Sequence, residues 1–211
     1  MNEEGRDAVV IEQRRQPVQE RSRERVNAIL DQAAEMIREV GVQGAKTSEI
    51  ARRAGISLPS LYRYFPNKAA IIKALAEQHI AKLDNVLQGF IADFDLNEGF
   101  DKLIDAYAEF YRNEPGYKEI WSGVEAMPEL QALDLGELYS NARDLSAKAS
   151  EVFPGFEEQR IWLICVMLPR ACGAILRLSM EMEEKQAGIL LSELKLMVRA
   201  YLIRRIADAQ S

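Results

Sequence analysis

The amino-acid sequence predicts an all-α chain of about nine helices, with a small three-helix unit at the N-terminus and a larger helical bundle behind it. Three observations carry this. No stretch of the 211 residues sustains period-two alternation. Apolar residues recur instead at spacings of three and four, the period of a helix with one buried face. Prolines and glycines divide these stretches into lengths suited to single helices.

Residues 1–17 read as a flexible arm that ends at Pro17 and carries Arg14 and Arg15. A first helix follows over about 18–40. Val26, Ile29, Leu30, Ala33, Ile37 and Val40 form its apolar stripe, and Gly41 ends it. A short helix over 47–54, a tight turn at Gly55 and a second short helix over 58–64 come next. Pro66 breaks the chain, and Asn67 is suited to cap a longer helix over 68–87 that leads out of the first unit. The expected domains are therefore 18–66 and 67–211. Five more helices are placed near 98–112, 115–125, 129–151, 157–183 and 187–207. The breaks between them are set at Gly89 with Asp93 and Asp95, Pro115-Gly116, Pro128, Pro154-Gly155 and Gln186–Gly188.

The formal net charge of -6 argues by itself against a nucleic-acid partner, but the charge is unevenly spread. Residues 13–68 hold 11 Lys/Arg against 6 Asp/Glu, whereas residues 71–211 hold 15 against 23. A basic N-terminal unit ahead of an acidic remainder is the asymmetry of a nucleic-acid-binding head on a separate body. Cys165 and Cys172 are the two cysteines. Seven residues apart on one helix they stand roughly 10 Å from each other, too far for a bridge, so they read as reduced residues of a cytoplasmic protein. His79 is the single histidine, and no metal-ligand cluster surrounds it. Met1 to Val10 is polar, without a signal core. The longest apolar run, Ile161 to Pro169, falls short of the roughly 18 residues a membrane span needs, so no membrane partner is expected.

Chemistry concentrates in Lys46 to Phe65, KTSEIARRAGISLPSLYRYF. Thr47 is suited to cap the first short helix, where its hydroxyl and the free backbone N–H groups can meet a phosphate. Ala51 is small where two helices cross. Gly55 can take the left-handed conformation that turns the chain. Ile50, Ile56, Leu61 and Phe65 pin the unit together. Ser57 can cap the second short helix, with Pro59 in its first turn, where a missing N–H costs nothing. Such a helix presents its N-terminal residues to base edges in a major groove. The continuation Leu61-Tyr62-Arg63-Tyr64-Phe65-Pro66-Asn67-Lys68 adds tyrosine hydroxyls and an ammonium group suited to backbone phosphates.

TSEIARRAGISLPSLYRYFPNKAAII, Thr47 through Ile72, resembles the DNA-binding head of the tetracycline-repressor (TetR) family of transcription regulators. The resemblance implies phosphate contacts at Thr47, Tyr62 and Lys68, with a further backbone contact at Tyr64. It implies base-facing positions at Ser48, Leu58, Pro59 and Ser60, to which Ser57 is added as the cap. Leu58 and Pro59 offer only apolar contact, and the two serines one adaptable hydrogen bond each. No Arg, Asn or Gln stands at these positions for a bidentate base contact, so specificity rests partly on DNA shape or on the arm. Arg14, Arg15, Arg21, Arg23 and Arg25 are candidates for added contacts, or else a solvated face paired with Glu20 and Glu24.

In the body, Ile161 to Leu168 cover every direction around their helix, which must then be buried on all sides. The helix near 187–207 is also broadly apolar. Packing of these two helices against the same pair of a second copy explains both. The resemblance implies the same homodimer, with two recognition helices roughly 34–36 Å apart on double-stranded operator DNA. It also implies a small-molecule inducer inside the body. The candidate lining is Tyr107, Phe110, Tyr111, Trp121, Met127, Trp162, Met167 and Arg170, with ordinary core packing as the competing role for the aromatics and acidic partners such as Glu125 or Glu181 for the arginines.

The reading is thus a regulator, most simply a repressor released from its operator by a small molecule. A regulator controlled by a protein partner, or an activator, would carry the same head. No cofactor is expected. The sequence shows no nucleophile–base pairing, metal cluster or glycine-rich phosphate loop, and acidic pairs such as Glu157-Glu158 read as helix ends, so no enzyme is expected.

Overall fold

The computed structural model describes residues 20–96 and 98–209, and these are helical nearly throughout. The order is α1 (Glu20–Gly44), α2 (Thr47–Arg53), α3 (Leu58–Tyr64), α4 (Lys68–Ala92), α5 (Gly99–Asn113), α6 (Tyr117–Ala126), a short 3₁₀ turn (Pro128–Leu130), α7 (Gln131–Val152), α8 (Glu158–Ser179) and α9 (Glu184–Ala209). The all-α class holds, and no strand occurs among the described residues. The arm and its Arg14 and Arg15 lie outside them.

The chain forms two compact units. One comprises residues up to His79 together with Pro115–Ala132. The other comprises Ile80–Glu114 and Leu133 onward. The sequence divides the chain at 66/67. The structure instead divides α4 between His79 and Ile80, and it adds α6 to the first unit.

The first unit is built on the apolar stripe of α1. Val26, Ile29, Leu30, Ala33 and Ile37 are all buried, joined by Ile50, Leu61, Phe65, Ile71 and Ile72. Val40, placed on that stripe by spacing, is instead half exposed at 52 %. Gly41 takes φ 70° and ψ 170°, a break that only glycine makes without strain, so the helical path is interrupted there and resumes for a last turn. α6 lies against α1. Gly123 permits the approach: a Cβ there would stand 2.9 Å from Val42 Cγ2.

The second unit packs α8 on α9 and α5 on both. Ile104, Ala108, Tyr111, Ile161, Leu176, Ala187, Leu191, Leu194 and Val198 are its buried apolar side chains on these helices. Two boundaries differ from the sequence reading. Gly89 lies inside α4, and the break comes after Ala92. α9 starts at Glu184, so Gln186 to Gly188 are helical and the turn is Met180–Glu183. Carboxylates at that start suit the positive end of the helix, and Gly188 faces open space.

α8 is not buried on all sides. Leu163, Met167 and Leu178 are about half exposed. Over its full 22 residues this helix is also long and apolar enough to cross a membrane, by length and composition alone. The nine-residue run read from the sequence understates it, because Arg170 and Arg177 interrupt the apolar character without ending the helix.

Candidate functional site

Gly55 closes α2 at φ 67° and lets the chain reverse into α3, which Ser57 starts by accepting a hydrogen bond from the Ser60 backbone N–H at 3.3 Å. The Ser57 hydroxyl also bonds the Ser60 hydroxyl at 2.9 Å. Ser48, Pro59 and Tyr62 are exposed, and Leu58 and Ser60 partly so. The N-terminal end of α3 thus presents its side chains to solvent as a reading helix must.

Thr47 does not cap α2. Lys46 occupies the cap position with extended backbone and no side-chain cap, and Thr47 is the first helical residue. Its hydroxyl lies instead 3.1 Å from the Tyr62 hydroxyl, tying the start of α2 to α3. Tyr62, 39 % exposed as a residue, is thereby held at the surface.

Two further residues fall where sequence reasoning did not place them. Tyr64 is buried in the first unit's core, and its hydroxyl accepts from Ser22 at 3.4 Å. The Lys68 ammonium donates to the carbonyls of Val42 at 2.6 Å and Gln43 at 3.3 Å. The break at Gly41 leaves those carbonyls at a helix end in need of donors, and a lysine satisfies them. Both side chains therefore brace the head.

The positive charge of the head is partly neutralised within it. Arg53 grips Glu39 with two hydrogen bonds of 2.8 and 2.9 Å and also reaches Glu49. Arg52 holds Glu49 at 2.6 and 2.8 Å, and this bonding pulls the Glu49 carboxyl down to about 2. Lys46 and Arg63 are different: both are exposed, and neither forms an ion pair among the described residues. These two cations flank the exposed serines and tyrosine. Sequence reasoning missed them, although a lysine just before a helix start was visible.

The second unit contains a cavity of about 180 Å³. Tyr107 and Tyr111 line it, as the sequence expects. The rest of the wall is almost wholly apolar and comes from α4, α5, α7, α8, α9 and the loops before α5 and before α8; Phe94, Phe100, Phe153 and Leu168 are examples. Both cysteines line it as free thiols, and burial pushes each up to about 11, so they are protonated wall residues. The Tyr107 hydroxyl donates to the Leu83 carbonyl at 3.4 Å.

The other expected lining residues lie elsewhere. Trp121 is buried in the first unit, to which Met127 also belongs. Phe110 sits under the Lys82 ammonium, 5.9 Å from the ring centre. Trp162 stacks on Tyr139 outside the cavity at 6.0 Å. Met167 is 46 % exposed on the outer surface of α8. Arg170 donates to Asp134 at 2.8 Å, a partner on α7 in place of Glu125 or Glu181.

Close to that pair, burial pushes the Glu137 carboxyl from 4.5 up to about 7, with Asp134 adding repulsion and the Asn141 amide and Arg170 opposing the shift. A carboxyl raised on folding favours the fold below its unfolded value and loses that contribution as pH rises through its folded value. Thermal unfolding followed by circular dichroism should therefore show stability falling between about pH 4.5 and 7, and Glu137→Gln should flatten that decline. An unchanged slope in the variant would place the titration elsewhere.

Residues 29–75 match the family described as bacterial regulatory proteins, tetR family. Residues 95–206 match the tetracyclin repressor-like C-terminal domain. The chain belongs to the tetR family. Among curated relatives, the class A tetracycline repressor protein from transposon 1721 of Escherichia coli is 41% identical over 56 residues, 26% of each chain. An HTH-type transcriptional regulator of Mycobacterium tuberculosis is 37% identical over 86 residues, 41% of this chain and 44% of its own. The chain thus spans less than half the length of these relatives. Two tetR-family regulators of known structure share the fold. The one from Mesorhizobium loti has a TM-score of 0.67 at 18% identity, covering 88% of this chain and 98% of its own. The one from Streptomyces coelicolor has 0.62 at 23%, covering 85% and 98%.

Proposed function

We propose that this tetR-family protein is a repressor that binds operator DNA in the cytoplasm as a homodimer and leaves it when an apolar small molecule occupies the body cavity. The observation that carries the DNA reading is the exposed face made by Lys46, Ser48, Pro59, Ser60, Tyr62 and Arg63 on a braced helix-turn-helix. Lys46, Thr47, Tyr62 and Arg63 act on phosphates, where they fix register. Ser48, Leu58, Pro59 and Ser60 read bases. The Ser60 oxygen already accepts from Ser57, which leaves its own proton to donate to a base edge.

The dimer reading rests on two apolar stripes in the second unit. Ile189, Leu196 and Ile203 recur every seven residues along α9, each more than half exposed. Leu163, Met167, Ala174 and Leu178 repeat at four and seven on α8. A second copy covering both stripes accounts for an apolar helix that the single chain leaves open. The ligand reading rests on the cavity. A void lined this way stays dry and takes apolar matter, and one of about 150 Å³ accommodates benzene. Occupancy shifts the protein toward whichever arrangement binds the ligand better, and only that difference releases DNA.

Fluorescence anisotropy on a duplex selected from a random pool tests the DNA contacts. Affinity should fall steeply with salt, and Lys46→Gln, which removes one phosphate contact from each protomer of the dimer, should reduce the log–log slope by about 1.8. A slope unaffected by Lys46→Gln and by Arg63→Gln would remove both residues from the interface.

A further inference from the structure

Resting on the cavity reading above, we infer that the ligand is an amphiphile whose apolar tail fills the cavity and whose anionic head group, a carboxylate, is held by Arg205 with Arg160. Arg205, near the end of α9, lines the cavity, and its Nε is buried without a hydrogen-bond partner. A buried donor on a guanidinium left unmatched costs stability, and an anionic acceptor relieves that cost with a charge-assisted bond. The rest of the side chain is 35 % exposed and makes two looser contacts. Its guanidinium lies 5.6 Å from the Tyr201 ring centre, which fixes its plane. Its ion-pair partner among the described residues, Asp208, stands at 3.8 Å and is held more closely by Arg204 at 3.0 Å.

A second, shallower depression adjoins this point. Arg160, Leu163, Ile164, Met167, Tyr201 and Arg205 line it, and Ile164 and Arg205 belong to both spaces; Leu163 and Met167 also lie on the stripe assigned above to a second copy, which would then close the depression over the head group. No acidic side chain among the described residues pairs with Arg160. Two arginines therefore line the adjoining spaces: Arg160 is exposed and without an ion-pair partner among the described residues, and Arg205 pairs only with Asp208, at the long distance of 3.8 Å. The remaining polar groups along the main cavity are the tyrosine hydroxyls, the Asn141 amide and two protonated thiols, none of which carries a charge to attract a cationic head. A tail of roughly six to eight carbons suits a space of about 180 Å³, given that about 150 Å³ holds benzene.

The test is calorimetric titration of the full chain with octanoate, 1-octanol and octylamine, which share a tail and differ in head group. Octanoate should bind about tenfold or more tightly than 1-octanol, the worth of one charge-assisted bond, with octylamine weakest. In Arg205→Gln the octanoate and octanol affinities should converge, while Arg205→Lys should keep part of the preference. Leu168→Trp, which fills the cavity, should abolish binding of all three. Equal affinity for octanoate and octanol in the wild type, or a preference that survives Arg205→Gln, overturns the head-group assignment and leaves the cavity reading standing. Binding of none of the three to the wild type overturns both. Melting curves of each variant confirm that it is folded.

Discussion

Replacing Phe65 with alanine should lower the stability of the first unit by about 3–5 kcal/mol and abolish duplex binding. Phe65 is fully buried at the end of α3, as are Ile29, Ile50 and Leu61 of the same unit. Removing the ring leaves a cavity that a close-packed three-helix unit closes only in part. The face proposed to meet DNA does not include the fully buried Phe65, so lost binding would report lost positioning of α3. Urea unfolding monitored by circular dichroism, beside anisotropy on the selected duplex, checks both effects. A variant of near-normal stability and affinity would show that α3 is held by something other than this core.

Glutamate at Leu163 and Ile203 together should convert the proposed dimer to monomer. Both positions lie in the exposed apolar stripes, at 52 % and 68 % exposure. The monomer tolerates a charge there, because water already reaches it. Burial of an unpaired carboxylate against a second copy costs about 3–5 kcal/mol, more than a hundredfold in dissociation constant, and the twofold repeats it. Sedimentation equilibrium should therefore show a folded monomer, and its affinity for a palindromic duplex should collapse because half-site binding loses its partner. A double variant that remains a dimer would move the interface off α8 and α9.

The helix-turn-helix was legible because its signals are local. Gly55 has its left-handed turn, Ser57 its cap, and α3 runs from Leu58 to Tyr64 as the pattern indicates. What the pattern could not carry was competition for a side chain. Thr47 finds the Tyr62 hydroxyl, and Lys68 finds carbonyls freed 25 and 26 residues earlier by the break at Gly41. Tyr64 looks like a surface phenol in the sequence, yet it falls on the inner face of a two-turn helix.

The cavity was legible only at Tyr107 and Tyr111. Aromatic and methionine content marks a residue as apolar without saying which unit it joins. Trp121 and Met127 belong to a segment that folds with the first unit, although it is flanked in sequence by helices of the second. Most of the wall is leucine, isoleucine and phenylalanine, which in one sequence are indistinguishable from core. Arg205 carried no sequence signal, because its meaning comes from a buried Nε that only coordinates reveal.

The most direct measurement of the central claim is selection of bound duplexes from a random pool by the full chain at low salt. The account predicts enrichment of one short palindrome, bound by two protomers, with half-sites centred one helical turn apart, about 34–36 Å, and affinity that falls as salt rises. Failure to enrich or retain any duplex at low salt would contradict it.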